Sequence, residues 1–257
     1  MKKDQVFAEK KDRMFAEKKD RVFAEKKDRI EPFAFNREVT AVFDDMLKRS
    51  VPLYEESIHR QAQMTRGFFQ EKTRIYDLGC SHGNLGILIL EQFKNTPFAM
   101  VGVDSSLPMI DKYKTRLEQV DNSHGIELIC GLLENIRIEN ASVVLINLTL
   151  QFLELKKRDG LIKKIYDGLL PGGILLVTEK IIHQASPIND LEQDFYLRFK
   201  RENGYSELEI SQKRDALEKV LIPESPGVHK QRFLNAGFSS FDIWLKWFNF
   251  ASMIAIK

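Results

Sequence analysis

The chain has 257 residues, 43% of them hydrophobic and 30% charged, with a formal charge of +2. That length can bury a full core and the mix is that of a soluble globular protein, so one domain with appendages is expected. There is no apolar run of eighteen residues and no apolar leading segment, so neither a membrane span nor a secretory signal is expected, and the small net charge singles out no nucleic-acid surface.

From residue 2 runs a tandem repeat of period eight: KKDQVFAE, KKDRMFAE, KKDRVFAE, then KKDRI. Through Glu31 the segment holds eleven Lys and Arg against eight Asp and Glu, a net of +3, so the remainder is close to −1. Ala, Glu and Lys favour a helix, but a period of eight makes the Phe7, Phe15, Phe23 stripe drift around it. The expectation for residues 1–31 is a duplicated, flexible or partly helical, largely exposed arm. Pro32 closes it. From Arg37 to Lys48 apolar residues recur at helical spacing, with Asn36 as N-cap. Pro52 breaks that pattern, and Ile58 to Phe69 reads as a second amphipathic helix. Tyr54, just past the turn, is a candidate lid over a pocket.

Ile75 to Gly83, I-Y-D-L-G-C-S-H-G, reads as a buried strand, a tight turn and the opening of a helix. Gly79 permits a close backbone approach that a Cβ would block. The spacing D-x-G-x-x-x-G is neither the dinucleotide fingerprint nor a phosphate-binding loop. Ala99 to Asp104 is a second apolar strand ending in an acid. In a doubly wound sheet such an acid lies beside the first turn and can hold a ribose diol. A helix (Pro108 to Val120), a strand (Ile126 to Cys130), a turn (Gly131 to Glu134) and a fourth strand (Ser142 to Ile146) follow. Asn147 falls at that strand's carboxyl end, where open α/β sheets place ligands. Leu161 to Leu170 reads as helix, Pro171-Gly-Gly173 as its stop, and Ile174 to Thr178 as the fifth strand. Charged helices fill an insertion from about 183 to 228, and most of Arg198, Lys200, Arg201, Lys213 and Arg214 read as a solvated face. The last helix ends near Ala236-Gly237, and Phe241 to Phe248 with Ala251 to Ile256 form an antiparallel pair. Cys80 and Cys130 read as small packing residues suited to a reducing cytosol. The five histidines show no metal-ligand spacing, so no metal is expected.

The Asp-x-Gly turn with a terminal Asp on the second strand resembles class I S-adenosylmethionine-dependent methyltransferases from about Phe69 onward. The implied fold is Rossmann-like: a seven-stranded, mostly parallel sheet with an antiparallel last strand, over residues 32–257. The motifs Arg49-Ser-Val-Pro-x-Tyr54, Tyr76-Asp-Leu-Gly-Cys-Ser81, Asn147-x-Thr-Leu-Gln-Phe152 and Asn203-Gly-Tyr-Ser-Glu-Leu-Glu-Ile-Ser-Gln-Lys-Arg214 are similar to those of the carboxy-S-adenosyl-L-methionine synthase family. That likeness runs from about Phe35 to the end. It implies a cytoplasmic homodimer that uses prephenate to carboxylate the methyl group of S-adenosyl-L-methionine, releasing phenylpyruvate. The product, carboxy-S-adenosyl-L-methionine, would pass to an enzyme that carboxymethylates a wobble uridine in tRNA. Direct contact with nucleic acid or membrane is not implied.

Carried onto this sequence, the resemblance has Gly79, Cys80 and Ser81 line the methionine part and Asp104 accept the ribose hydroxyls. Ser105, Leu132 and Leu133 would lie on the adenine side, and Asn147 near the sulfonium. Leu132 stands where the family usually has an acid. Tyr54 joins the pocket, and Arg214 receives the new carboxylate through a bidentate fork that Lys does not offer. Two rival readings are an ordinary methyltransferase of a small molecule or RNA, and a non-catalytic S-adenosylmethionine-binding subunit.

Overall fold

The computed structural model describes residues 18–94, 96–120, 125–183 and 187–257. Seven strands form one sheet: β1 (Arg74–Leu78), β2 (Ala99–Asp104), β3 (Ile126–Cys130), β4 (Ala141–Asn147), β5 (Leu169–Lys180), β6 (Ser240–Trp247) and β7 (Phe250–Ile256). Their spatial order is β3-β2-β1-β4-β5-β7-β6. The first five are parallel, and β7 inserts antiparallel between β5 and β6. The order reverses direction between β1 and β4, and both strands point their carboxyl ends at one crevice. Sheets of this kind bind ligands there.

Alternation along the strands builds both layers of the core. Tyr76, Leu78, Val144, Ile146, Leu175 and Val177 face one side, where α6 (Leu155–Gly168) and α9 (Pro226–Ala236) cover them with Leu161, Ile165 and Phe233. Ile75, Val143, Leu145, Ile174 and Leu176 face the other side. There α2 (Phe43–Ser50), α3 (Tyr54–Phe68) and α4 (Asn84–Gln92) bring Phe43, Met46, Ile58, Ala62 and Ile89. Each fully buried aliphatic side chain contributes roughly 1.5–3 kcal/mol.

Asn36 caps the first helix, α1 (Arg37–Ala41), by accepting from the Val39 amide at 3.0 Å. The single helix expected to Lys48 is two, because Val42 departs from helical backbone (φ −121°) between α1 and α2. The β-branched Val39, Thr40 and Val42 favour such a break. Pro171-Gly-Gly173 does not end a helix. The helix stops at Gly168, and the three residues lie inside β5, where its register against β4 shifts. The remaining helices are α5 (Leu107–Leu117) and, in the insertion, α7 (Pro187–Glu202) and α8 (Glu207–Leu217). Ser206 and Glu209 close a capping box at the start of α8. No helix among the described residues is long and apolar enough to cross a membrane.

Over the third and fourth copies of the repeat most residues are exposed, as expected; its first two, residues 2–17, lie outside the described residues. Residues 18–30 contain no helix, and Asp20 and Phe23 are buried. Asp20 accepts from the Tyr205 hydroxyl at 2.6 Å and lies 3.5 Å from Lys213, while its carbonyl accepts from Arg49. Gln212 holds the carbonyls of Phe23 and Glu25 through its amide nitrogen and the Lys27 amide through its oxygen. The third copy is thus strapped across α2 and α8. A non-helical chain, turned where the Ala24 amide donates to the Arg21 carbonyl, satisfies these partners as a helix, with its carbonyls engaged internally, does not.

Candidate active site

One cavity of about 510 Å³ opens at the carboxyl ends of β1, β2 and β4. All ten sequence-predicted positions line it: Tyr54, Gly79, Cys80, Ser81, Asp104, Ser105, Leu132, Leu133, Asn147 and Arg214.

The turn after β1 sets its floor. Gly79 has φ +84°, and a Cβ there would lie 2.0 Å from Thr149 Oγ1. The amides of Gly79 and Cys80 both donate to the Val103 carbonyl, which ties the turn to β2. Asp104 Oδ2 accepts from the Ser81 amide at 2.9 Å and Oδ1 from the Ser106 amide at 2.8 Å. These bonds orient the carboxylate and leave each oxygen further acceptor capacity. Burial raises the Asp104 pKa, and those two amides work against the rise. Asp77, in the same strand, is buried with Oδ2 unpartnered. Burial first, and the Asp104 charge second, push its carboxyl up to about 7.

Asn147 closes β4, and its buried Oδ1 also lacks a partner. The next residue, Leu148, has φ +55°, and the chain then turns over Glu179. That carboxylate accepts from the amides of Thr149, Leu150 and Gln151 at 2.8–3.1 Å. Burial nonetheless pushes it up to about 8. Tyr54 is buried at the first turn of α3, with its hydroxyl accepting from Asn84 at 3.2 Å. It is a fixed wall of the pocket and not a surface lid. Leu133 is buried and Leu132 is 54% exposed. Beside them Glu134 pairs with Lys157 at 2.9 Å, both at the cavity rim. Cys80 is buried as expected, whereas Cys130 is exposed: β3 is the sheet's edge strand.

The insertion supplies the remaining wall. Arg214 in α8 is two-thirds exposed at the cavity, 3.5 Å from its neighbour Asp215. Arg198, Arg201 and Arg214 are exposed, as the solvated face expected for most of these residues requires. Lys200 and Lys213 are buried, because α7 and α8 fold over the cavity with the strap behind them. Lys213 reaches Ser50 Oγ at 3.0 Å and Asp20; burial pushes it down to about 7 despite that acid. Burial and the Arg214 charge push Lys200 down to about 8. Sequence reasoning passed over Asp77, Lys180, Tyr196 and Lys200. For Asp77 the Asp-x-Gly spacing was a usable signal; for the other three there was none.

These features fit an adenosyl amino acid. A glycine cradle, an orphaned carboxylate oxygen for an ammonium, an acid for a diol and an apolar shelf for a base lie along one cavity. Among the described residues no cluster of three or more His, Cys, Asp or Glu could hold a metal. The strand order, the glycine turn and the acid closing β2 define a class I methyltransferase domain. Accordingly the family described as "Methyltransferase domain" matches residues 75–173. An O-methyltransferase family protein from Burkholderia thailandensis superposes with a TM-score of 0.62 at 17% identity, over 90% of this chain and 65% of its own length. Proteins named carboxy-S-adenosyl-L-methionine synthase are far nearer in sequence. The one from Desulforapulum autotrophicum is 60% identical over all of this chain and 98% of its own. The one from Shewanella oneidensis is 46% identical over 89% and 94%. The chain belongs to the carboxy-S-adenosyl-L-methionine synthase family.

Proposed function

We propose that the chain converts S-adenosyl-L-methionine and prephenate to carboxy-S-adenosyl-L-methionine and phenylpyruvate, without a metal. The observation that carries this reading is that α7 and α8 add a cationic wall, including Arg214, to the cavity that a methyltransferase uses for its cofactor. A methyl donor needs an open path to a nucleophile. A carboxylated product needs a fixed cation beside the methyl carbon, and a charge-assisted pair of that kind is worth roughly 1.5–3 kcal/mol.

The residues divide the work. Gly79, Cys80 and Ser81 hold the methionine end with backbone, and Asp77 accepts its ammonium. Asp104 takes the ribose hydroxyls, and Ser105, Leu132 and Leu133 flank the adenine. Asn147 turns its free carbonyl oxygen to the sulfonium region, and Tyr54 excludes water. The bound substrate supplies a methyl carbon acidified by the adjacent sulfonium. Arg214 holds the carboxylate that forms there. In the wider reading the protein is a cytoplasmic homodimer, and a tRNA carboxymethyltransferase consumes its product at a wobble uridine.

Mass spectrometry of the nucleoside formed from S-adenosyl-L-methionine and prephenate tests this. The expected species is heavier than the substrate by one CO₂ and falls about tenfold or more in Arg214→Leu. Recovery of only unchanged or demethylated nucleoside would reject the synthase reading in favour of a methyltransferase or a binding subunit.

A further inference from the structure

Two lysines of the cavity wall have no role in holding the nucleoside. Lys180 ends β5 and is half-buried; Lys200 lies in the last turn of α7 and is 5% exposed. Their ammonium groups lie 4.8 and 4.6 Å from the centroid of one ring, that of Tyr196. All three residues line the cavity together with Arg214. Among the described residues neither lysine has a carboxylate within ion-pair distance. Asp20, the acid that bears on Lys200, is already engaged by Tyr205 at 2.6 Å and Lys213 at 3.5 Å. Elsewhere in the molecule, buried cations are answered. Arg158 and Arg232 share Glu224, and Lys213 has Asp20.

Attraction to an aromatic face gives about 0.5–2 kcal/mol, less than the several kcal/mol lost on desolvating an ammonium. The Lys200 charge adds to that cost for Lys180, and the Arg214 charge adds to it for Lys200. Three cations on one wall of an open cavity therefore call for an anion with more than one charge.

We propose that Lys180 and Lys200 form the subsite for the carboxyl donor, gripping the side-chain carboxylate that leaves with the product. This rests on the reading above that the donor is prephenate, which carries two carboxylates. In the reaction the ring carboxylate departs as CO₂ while the ring aromatises. The ring hydroxyl leaves with a methyl proton as water, and the methyl carbon bonds to the CO₂. The pyruvyl carboxylate is unchanged throughout. It is the handle by which the enzyme can fix the ring, and its subsite must be distinct from the cation that receives the new carboxylate. Lys180 and Lys200 serve the first purpose and Arg214 the second.

The test compares wild type with Lys180→Met, Lys200→Met, their double variant and Lys200→Arg. The KM for prephenate rises about 10- to 100-fold in the Met variants, more in the double. Affinity for S-adenosyl-L-methionine is unchanged, and Lys200→Arg recovers much of the loss. An unaltered prephenate KM, or an equal loss of S-adenosyl-L-methionine affinity, overturns the subsite. Calorimetric titration of prephenate into protein saturated with S-adenosylhomocysteine decides the matter without turnover. Binding by wild type that the double variant loses supports the subsite even where no carboxylated product forms, an outcome that would reject only the proposed reaction. Product formation with equal prephenate binding in all variants keeps the reaction and rejects the subsite. No binding by wild type also rejects it.

Discussion

The two halves of the cavity are built on different principles. The strand-end half consists of one turn or residue per strand: the Gly79 turn, Asp104, Asn147, each fixed by backbone bonds to its neighbours. The insertion half consists of long cationic side chains on helices, held in place by a non-helical strap and by buried ion pairs. The first half works through local geometry, so it tolerates almost no change of backbone. The second works through charges removed from water, so it depends on every counter-charge that holds them there. Under the proposed function, this division lets one fold keep a nucleoside site while a separate wall adds the new reaction.

The largest effect should come from cutting the insertion's main tie. Glu224 pairs with Arg158 at 2.5 Å and Arg232 at 2.8 Å, and Arg158 also donates to the carbonyls of Gln151, Leu153 and Ile222. Glu224→Ala leaves Arg158 with backbone carbonyls but no carboxylate and Arg232 with Asp159 alone, and should cost about 3 kcal/mol in urea denaturation. A loss under about 1 kcal/mol would show that the insertion does not rely on its counter-charges.

Gly79→Ala attacks the other half. The new Cβ meets Thr149 at a positive φ, so affinity for S-adenosyl-L-methionine should fall on the order of 100-fold by calorimetry. Unchanged affinity would mean that the turn is not the geometric floor of the site.

The strap gives a third comparison. Asp20→Ala strips Lys213 and Tyr205 of their carboxylate and should lower stability by about 2 kcal/mol. Activity should fall as well, since α8 carries Arg214. Thermal melting together with product formation reads both.

The mildest effect is a pH dependence in the strand-end half. The folded Asp77 pKa of about 7 lies above its ordinary 3.8. The stability it contributes is therefore complete below about pH 3.8 and lost as the pH rises through about 7. Asp77→Asn removes that slope, so the ligand-free variant should be the more stable by about 1–2 kcal/mol at pH 8. Equal melting of the two proteins from pH 4 to 8 would show that Asp77 is not held in an unfavourable charged state.

Reading the sequence reached the strand-end half almost completely, because each signal there is local. Gly79, Asp104 and Asn147 fall at fixed places relative to apolar strands, and the strand alternation itself dictates which way they point; Asp77 carried the same kind of signal and was passed over. The cap at Asn36 and the stop at Gly237 were equally local. Lys200 and Lys213 were not legible, since a lysine among glutamates on a helix carries the same pattern whether solvent or another layer faces it. Tyr54 was placed in the pocket, but its tie to Asn84 joins residues thirty apart. The third copy of the repeat was not legible for a related reason: its composition favours a helix, while the partners that hold it out of one are Tyr205, Gln212 and Lys213, more than 180 residues away.

By itself, then, the sequence determined the succession of strands and helices, which follows from periodicity and glycine placement over short spans. The family resemblance supplied the seven-stranded sheet and most of the residues proposed to face the nucleoside. Only the tertiary structure decided which charged side chains leave water. It turned an anonymous run of lysines into the wall of an active site and an eight-residue repeat into the strap behind it. Burial of a charge is a property of what packs against it, and that partner comes from the far end of the chain.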